Sequence, residues 1–465
     1  MRKQRMPYIS LSLLPVILAI NFCLPQFVRG HIIHIPDSLP PITVQVNDSL
    51  CIITDSAYTL TPFFKELKAL QDGKDTVISI IHLGDSHIQA GYFSGQVMRL
   101  LQDEFGNGGR GWIAPFKLSK TNEPDDYYIN SVVRNWETGR IAQNKQKTAI
   151  GPGGIGIKTD APSVNFELKI TPVNGVGYSF NQVVFYRSKG SMPMLPAGPL
   201  KESVQVSLAT DTCMDNILAD TFRIHCLTDI FELHSTRRKR GTDELLPAAD
   251  FDNIYYGFSL TNGGSGLLYH SIGVNGAMFV NYTDESYIRQ LALLHPSLLI
   301  ISLGTNETFG RRFTATEFTK QIDAFIALIK THLPNTTLLF TTPPECFRRA
   351  YVNKKYTYVR NENIERAAKA IVNYARQHGI ACWDMFAITG GKNSSKKWYD
   401  AELFSADRIH FRKEGYLQQG YLFNHALIKT YNQQLVLEKT ATSVTGEEIQ
   451  DSLQMVNDSI FAKKQ

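Results

Sequence analysis

Gly84-Asp85-Ser86-His87 places a serine where an apolar, β-branched run, Thr76 to Leu83, gives way to an amphipathic helix. A serine at that junction sits at the carboxyl edge of a parallel sheet, where open α/β folds bind ligands. The helix N-terminus also brings backbone N–H groups near its oxygen. Taken alone the four residues favour a plainer reading, a helix N-cap, because Asp and Ser are common caps. Asp407-Arg408-Ile409-His410 holds what a serine nucleophile needs: a histidine to take the proton and a carboxylate to orient the ring. Alone, this stretch reads as a solvated loop. Gly304-Thr305-Asn306-Glu307 follows the apolar strand Leu298 to Leu303. The Asn306 amide there can donate to a developing oxyanion or simply form an Asx-turn or cap. Gly273-Val274-Asn275-Gly276 follows another strand, and Gly276 offers an unhindered backbone N–H. Each signal is weak by itself. Jointly they fall after strands, or before the last helix, on one edge of one sheet. They assemble a nucleophile, a base, an orienter and three oxyanion donors, which capping does not explain.

The elements that must position these residues follow from hydrophobic pattern. Thr76 to Leu83 suits a buried parallel strand, and Ile88, Phe93, Val97 and Leu101 lie at helical spacing after it. From about Lys117 to Gly264 the texture becomes short alternating runs broken by Gly, Pro, Asn and Asp, the pattern of an antiparallel sandwich. Strands then alternate with helices: strands at 267–272, 297–303, 336–342 and 379–383, and helices at 285–294, 315–332, 361–378 and 413–431. With the first strand this makes a doubly wound parallel sheet of five strands. The expected organisation is an export segment at 1–30, the first part of an α/β domain at 31–116, an inserted β-sandwich at 117–265, the second part at 266–437 and a polar tail at 438–465.

These four blocks, in this order, resemble the SGNH (GDSL-type) hydrolase superfamily over roughly residues 75–115 and 268–430. The resemblance implies a flavodoxin-like three-layer α/β/α fold and ester hydrolysis through an acyl-serine, without metal or cofactor. It implies Ser86 as nucleophile, His410 as base and Asp407 as its orienter. The Ser86 and Gly276 backbones and the Asn306 amide would form the oxyanion hole. His87 stands where many members carry leucine. The run Gly84 to Gly91 and the run Phe105-Gly-Asn-Gly-Gly-Arg-Gly-Trp112 resemble the bacterial peptidoglycan O-acetylesterase branch. In that branch a β-sandwich resembling a carbohydrate-binding module interrupts the hydrolase domain. The implied partner is an O-acetylated glycan. An acetylxylan or other carbohydrate esterase, an O-acetyltransferase and a non-catalytic glycan-binding protein remain open alternatives. Substrate contacts are expected from His87, Arg110, Trp112 and Glu307. The plainer roles for these are space-filling for His87, an ordinary turn for Arg110 and Trp112, and a helix cap for Glu307. Tyr127 and Trp136 would stack on sugars or, as aromatics in a sandwich usually do, form core.

Composition narrows the class. The 465 residues are 43% hydrophobic and 20% charged with a net charge of +5, which suits two or three soluble domains. Four of those charges, Arg2, Lys3, Arg5 and Arg29, fall in the first thirty residues, which hold no acid. The remainder is near neutral, so nucleic acid is not an expected partner. Arg237-Arg-Lys-Arg240 reads as a solvated turn or as a contact for an anionic polymer. The basic start, the apolar run Ile9 to Leu24 and the small residues Val28 and Gly30 form an export signal cleaved near His31. Its apolar run is short of the ~20 residues that span a bilayer, and no later segment is apolar enough to cross one. A periplasmic or extracellular protein is expected, membrane-anchored if the signal is kept. The six cysteines, at 23, 51, 213, 226, 346 and 382, form no C-x-x-C. In an oxidising compartment Cys213 with Cys226, and Cys346 with Cys382, are the expected pairs.

Overall fold

The computed structural model describes residues 32–33, 44, 46–172, 177–238, 241–242 and 244–443. The expected export segment, Cys23, Lys239-Arg240 and the tail past Ser443 lie outside the described residues. Five strands form one parallel sheet in the spatial order Gly266–Gly273, Val77–Gly84, Pro296–Ser302, Thr337–Thr341, Ala381–Trp383. In chain order this is 2-1-3-4-5, the flavodoxin-like arrangement. The strands are buried along nearly their whole length because helices cover both faces. His82 and Trp383 pack on Phe93 and Phe423, from the helices Tyr92–Phe105 and Lys413–Ser443. On the other face Phe340 and Phe318 flank Phe279, with Phe318 on the helix Ala315–His332. His82 also binds the neighbouring strands, Nδ1 to the Tyr269 hydroxyl and Nε2 to that of Ser302, both at 2.7 Å.

The sandwich interrupts this domain. One sheet runs Glu137–Arg140, Ile155–Lys158, Ile254–Thr261, Phe180–Ser188, Ile217–Thr228, Val204–Ser207, and the facing one Tyr127–Asn130, Ser163–Ile170, Ile230–Thr236, Leu195–Ala197. Phe166 of the second sheet meets Phe185, Tyr255 and Phe258 of the first across the core. The sandwich also recruits Gly111–Ile113, which pairs with Ile254–Thr261, ahead of the expected start at Lys117. The strand Ile254–Thr261 continues through four residues into Gly266–Gly273, so the two domains share a short, direct connection.

Four expectations need correction. The helix after the first strand breaks into Ser86–Gln89 and Tyr92–Phe105 at Gly91, whose φ of +74° only glycine adopts at no steric cost. The last helix does not stop at Tyr431 but runs to Ser443, carried by Leu435 buried on its inner face. Cys213 and Cys226 are unbridged. Cys213 bonds Ile217 at the start of a strand that carries Cys226 nine positions further on, roughly 30 Å at about 3.3 Å per residue and far beyond disulfide reach. Cys346 and Cys382 are unbridged too. Cys382 pairs in register with Phe340 within the sheet, whereas Cys346 lies past Pro343-Pro344 beyond the sheet edge. No described helix is long and apolar enough to cross a membrane.

A hairpin, Phe347–Val352 with Lys355–Arg360, was not anticipated from the pattern. Its two-residue turn, Asn353-Lys354, has positive φ at both positions, the type I′ geometry that matches strand twist.

The edge of the sheet tolerates little at Gly273. A Cβ there would lie 2.1 Å from the Gln89 nitrogen and 2.7 Å from the Asp85 carbonyl. Gly273→Ala should destabilise the protein by about 1–3 kcal/mol, the usual cost of overpacking, seen as a lower midpoint in thermal and urea unfolding. An unchanged midpoint would contradict this packing.

Candidate active site

The first strand ends at Gly84, and Asp85 turns the chain into the short helix Ser86–Gln89. Asp85 is that helix's N-cap: its Oδ1 accepts the His87 N–H at 2.9 Å. The capping reading and the chemical one therefore both hold, on adjacent residues. Asp85 caps, and the adjacent Ser86 keeps its partly exposed hydroxyl for a partner other than the helix N-terminus.

Ser86 and His410, 324 residues apart, meet at 2.7 Å between Oγ and Nε2. On the other side of the ring, Nδ1 lies 2.6 Å from Asp407 Oδ2. Asp407 Oδ1 accepts the backbone N–H of Ile409 and His410 and the Ser405 hydroxyl, at 2.9, 3.0 and 2.8 Å. Burial pushes the Asp407 carboxyl up, but these bonds, that from His410 foremost, outweigh it and hold it well below the usual carboxylate range. His410 in turn is raised by its bond to Asp407, against burial. A histidine set between a hydroxyl and an ionised carboxylate can take the hydroxyl's proton and bear the resulting charge.

Asn306 opens a 3₁₀ turn beyond the strand Pro296–Ser302. Its amide Nδ2 donates to Asp85 Oδ2 at 3.2 Å and to the Ala277 carbonyl at 3.0 Å. Gly276, next to Ala277, is exposed in a turn closed by the Ala277 N–H to the Val274 carbonyl, and its φ is +79°. Asp85 and Asn306 thus tie Ser86, Asn306 and Gly276 into one contiguous edge. Asp85 is buried, and burial pushes its carboxyl up to about 7 against the pull of the His87 N–H and His410.

A second network holds the Gly276 turn. Gln89 Oε1 accepts the Asn275 N–H at 2.8 Å. The Gln89 and Asn275 amides both donate to Thr121 and Asn122, at 2.8 to 3.0 Å. Those two residues lie on the segment entering the sandwich, so the insert touches the site through this polar cluster.

The expected substrate contacts fare differently. His87 is buried, with Nδ1 2.8 Å from the Tyr416 hydroxyl and its ring 5.2 Å from that of His410. Burial, then the His410 charge, pushes it down to about 3, so it stays neutral beside the base. Glu307 is buried and accepts the Phe279 N–H at 2.9 Å, capping the helix Phe279–Tyr282 rather than the helix that follows it in sequence. Arg110 and Trp112 are core residues, each 2% exposed, and offer a glycan nothing. Arg110 is ion-paired with Asp126, and Trp112 packs on Tyr186. Trp136 and Tyr127 are likewise buried.

Sequence reasoning passed over Arg408. It sits between Asp407 and His410 at φ +59°, a conformation that costs a side-chain-bearing residue about 1–3 kcal/mol. Its guanidinium lies 4.2 Å from the Tyr399 ring centroid and 4.3 Å from that of Tyr358, and donates to the Tyr399 hydroxyl at 2.9 Å. Its carbonyl accepts the Phe347 N–H. The loop that presents His410 is therefore clamped by aromatic rings from the hairpin and from the helix Ser394–Asp400.

Residues 252–417 match the sequence profile of the GDSL-like lipase/acylhydrolase family. A solved peptidoglycan O-acetylesterase superposes with a TM-score of 0.65 over 82% of this chain and 99% of its own, at 19% identity. That likeness is one of fold, insert included. A putative acylhydrolase of Bacteroides fragilis (18% identity, 35% of this chain, 76% of its own, TM-score 0.26) and a GDSL-like lipase of Bacteroides thetaiotaomicron (18%, 36%, 76%, 0.26) match less of the chain. No curated protein matches it in sequence. The matched segment supplies Asn306, Asp407 and His410, with a parallel sheet of flavodoxin-like order beneath them, so residues 252–417 are similar to the GDSL-like lipase/acylhydrolase family and sit on the fold that the acylhydrolase chemistry of such a segment needs.

Proposed function

We propose that this is an exported serine esterase that removes O-acetyl groups from a polysaccharide, peptidoglycan first among them. The observation that carries the reading is the continuous hydrogen-bonded chain Ser86–His410–Asp407 at 2.7 and 2.6 Å. The choice of glycan draws on the peptidoglycan O-acetylesterase whose fold, sandwich included, this chain shares. The open setting agrees with it: the His410 and Asp407 side chains are 36% and 48% exposed, which suits an ester carried on a bulky polymer.

In the proposed cycle, His410 Nε2 takes the Ser86 proton as Oγ attacks the acetyl carbonyl. Charge gathers on the carbonyl oxygen, which faces the N–H groups of Ser86 and Gly276 and the Asn306 amide. One such donor is typically worth about 3 kcal/mol. For Asn306 to serve, one of its two present bonds, to Asp85 or to Ala277, must be shared with the oxyanion. The C–O bond to the sugar then breaks, and the sugar oxygen takes the proton from His410. Water, deprotonated by His410, attacks the acetyl-serine and releases acetate.

Acetate release from O-acetylated peptidoglycan and from acetylated xylan tests the reading. The protein should release acetate, faster from peptidoglycan, and Ser86→Ala should lose on the order of 10⁴-fold or more in kcat. Serine-independent release, or none from either polymer or an aryl acetate, would refute it. The pH dependence follows from His410. Protonated His410 cannot accept the serine proton, and Asp407 raises its pKa. Activity should therefore fall as pH drops through an inflection above 6.5, the ordinary histidine value. In Asp407→Asn that inflection should move down while kcat falls, and an unmoved inflection would count against the pairing. Arg408→Ala should lower kcat by about ten- to a hundredfold, the scale of a small misplacement of a reacting group, with little change in KM. Wild-type kcat would show that the clamp does not position His410.

A further inference from the structure

The hairpin Phe347–Val352/Lys355–Arg360 is tied at its base to the loop that carries His410, by the Phe347 N–H donating to the Arg408 carbonyl. In its register Arg349 opposes Tyr358 and Tyr351 opposes Tyr356. Alternation puts Phe347, Arg349, Tyr351, Tyr356 and Tyr358 on one face. The near end of that face, Phe347 and Tyr358, grips Arg408. Further out, the Arg349 guanidinium lies 5.1 Å from the Tyr356 ring centroid, and Tyr356 meets Tyr351 edge-on at 5.2 Å. An aromatic and guanidinium ladder thus leads from the catalytic loop to the tip. Its outer rungs are not core: Tyr351 and Tyr356 are 64% and 67% exposed.

Charge adds a second, independent feature. Between Cys346 and Asn361 the chain holds five cations and no acid. Arg360 is neutralised by Glu345 and Glu365. Arg348, Arg349, Lys354 and Lys355 make no ion pair among the described residues. A cross-strand tyrosine pair alone would be explained as stabilising a two-stranded hairpin. That need does not explain uncompensated cations, which repel one another and weaken the arm.

The geometry points to the hairpin as a docking arm for an anionic polysaccharide strand. Sugar rings would stack their apolar C–H faces on Tyr351 and Tyr356, and carboxylates on the strand would meet Arg349 on the same face and Lys354 at the turn. The arm's link to catalysis rests on the esterase reading, since it would hold the strand beside Ser86. Its binding does not rest on that reading.

Binding by the full chain carrying Ser86→Ala tests this without hydrolysis. The probes are soluble O-acetylated peptidoglycan strands, whose peptide stems carry carboxylates, and neutral acetylated xylan. Thermal unfolding of each variant verifies the fold. Adding Arg349→Glu and Lys354→Glu should weaken peptidoglycan binding about tenfold, remove most of its salt dependence, and leave xylan within twofold. Tyr351→Ser with Tyr356→Ser should weaken both polymers, and Tyr→Phe at the same positions should restore them. Peptidoglycan affinity within twofold of the parent in both sets of folded variants would overturn the arm. Equal loss on both polymers from the charge variants would overturn its preference for anions. Failure of the esterase reading appears separately, as absent acetate release by the wild-type chain.

Discussion

The site depends on a carboxylate kept where water cannot reach it. Asp85 is 1% exposed, and a buried charge is tolerated only when hydrogen bonds replace its solvation. Here the His87 N–H and the Asn306 amide do so. The first bond fixes the turn that presents Ser86, and the second fixes Asn306 against that turn. One side chain thereby sets the relative position of the proposed nucleophile and the proposed oxyanion donor. Burial raises its carboxyl to about 7, against the pull of the His87 N–H and of His410.

The histidine arrives by a different route. His410 belongs to no strand. It sits on a loop held at a strained αL residue, Arg408, and that strain persists because three aromatic rings and a backbone bond from Phe347 enclose the guanidinium and carbonyl. The serine edge is rigid because a sheet defines it, whereas the histidine loop is rigid because a hairpin and a short helix brace it. The Gly276 turn has a third brace, the Gln89 and Asn275 amides on Thr121 and Asn122, which joins it to the segment leading into the sandwich. The insert is thus continuous with the site on one side and with the central sheet, through residues 261–266, on the other.

Much of this was legible in the sequence. Buried parallel strands read as apolar runs, so the five strands and their ends could be placed, and with them Ser86, Gly276 and Asn306 at one edge. Asp407 and His410 were legible because a three-residue spacing keeps both on one loop. Local pattern does not encode which distant segment covers a residue. Arg110 and Trp112, on a glycine-rich stretch that looks like an exposed loop, are drawn into the junction by Asp126 and by pairing with Ile254–Thr261. Glu307 caps a helix that precedes it by some 28 positions. The hairpin had a visible signal, alternation on either side of Asn353-Lys354, but its importance comes from Arg408, which only the fold places against it. The cysteine pairings failed because spacing carries no geometry.

The central claim is that Ser86 is a nucleophile activated by His410. Labelling with an aryl phosphonofluoridate tests it directly, because the reagent bonds irreversibly only to an activated hydroxyl. Peptide mass spectrometry should find one phosphonyl adduct, on Ser86, forming faster as pH rises through the His410 titration and nearly absent in His410→Ala. No adduct, an adduct on another residue, or equal labelling without His410 would contradict the account.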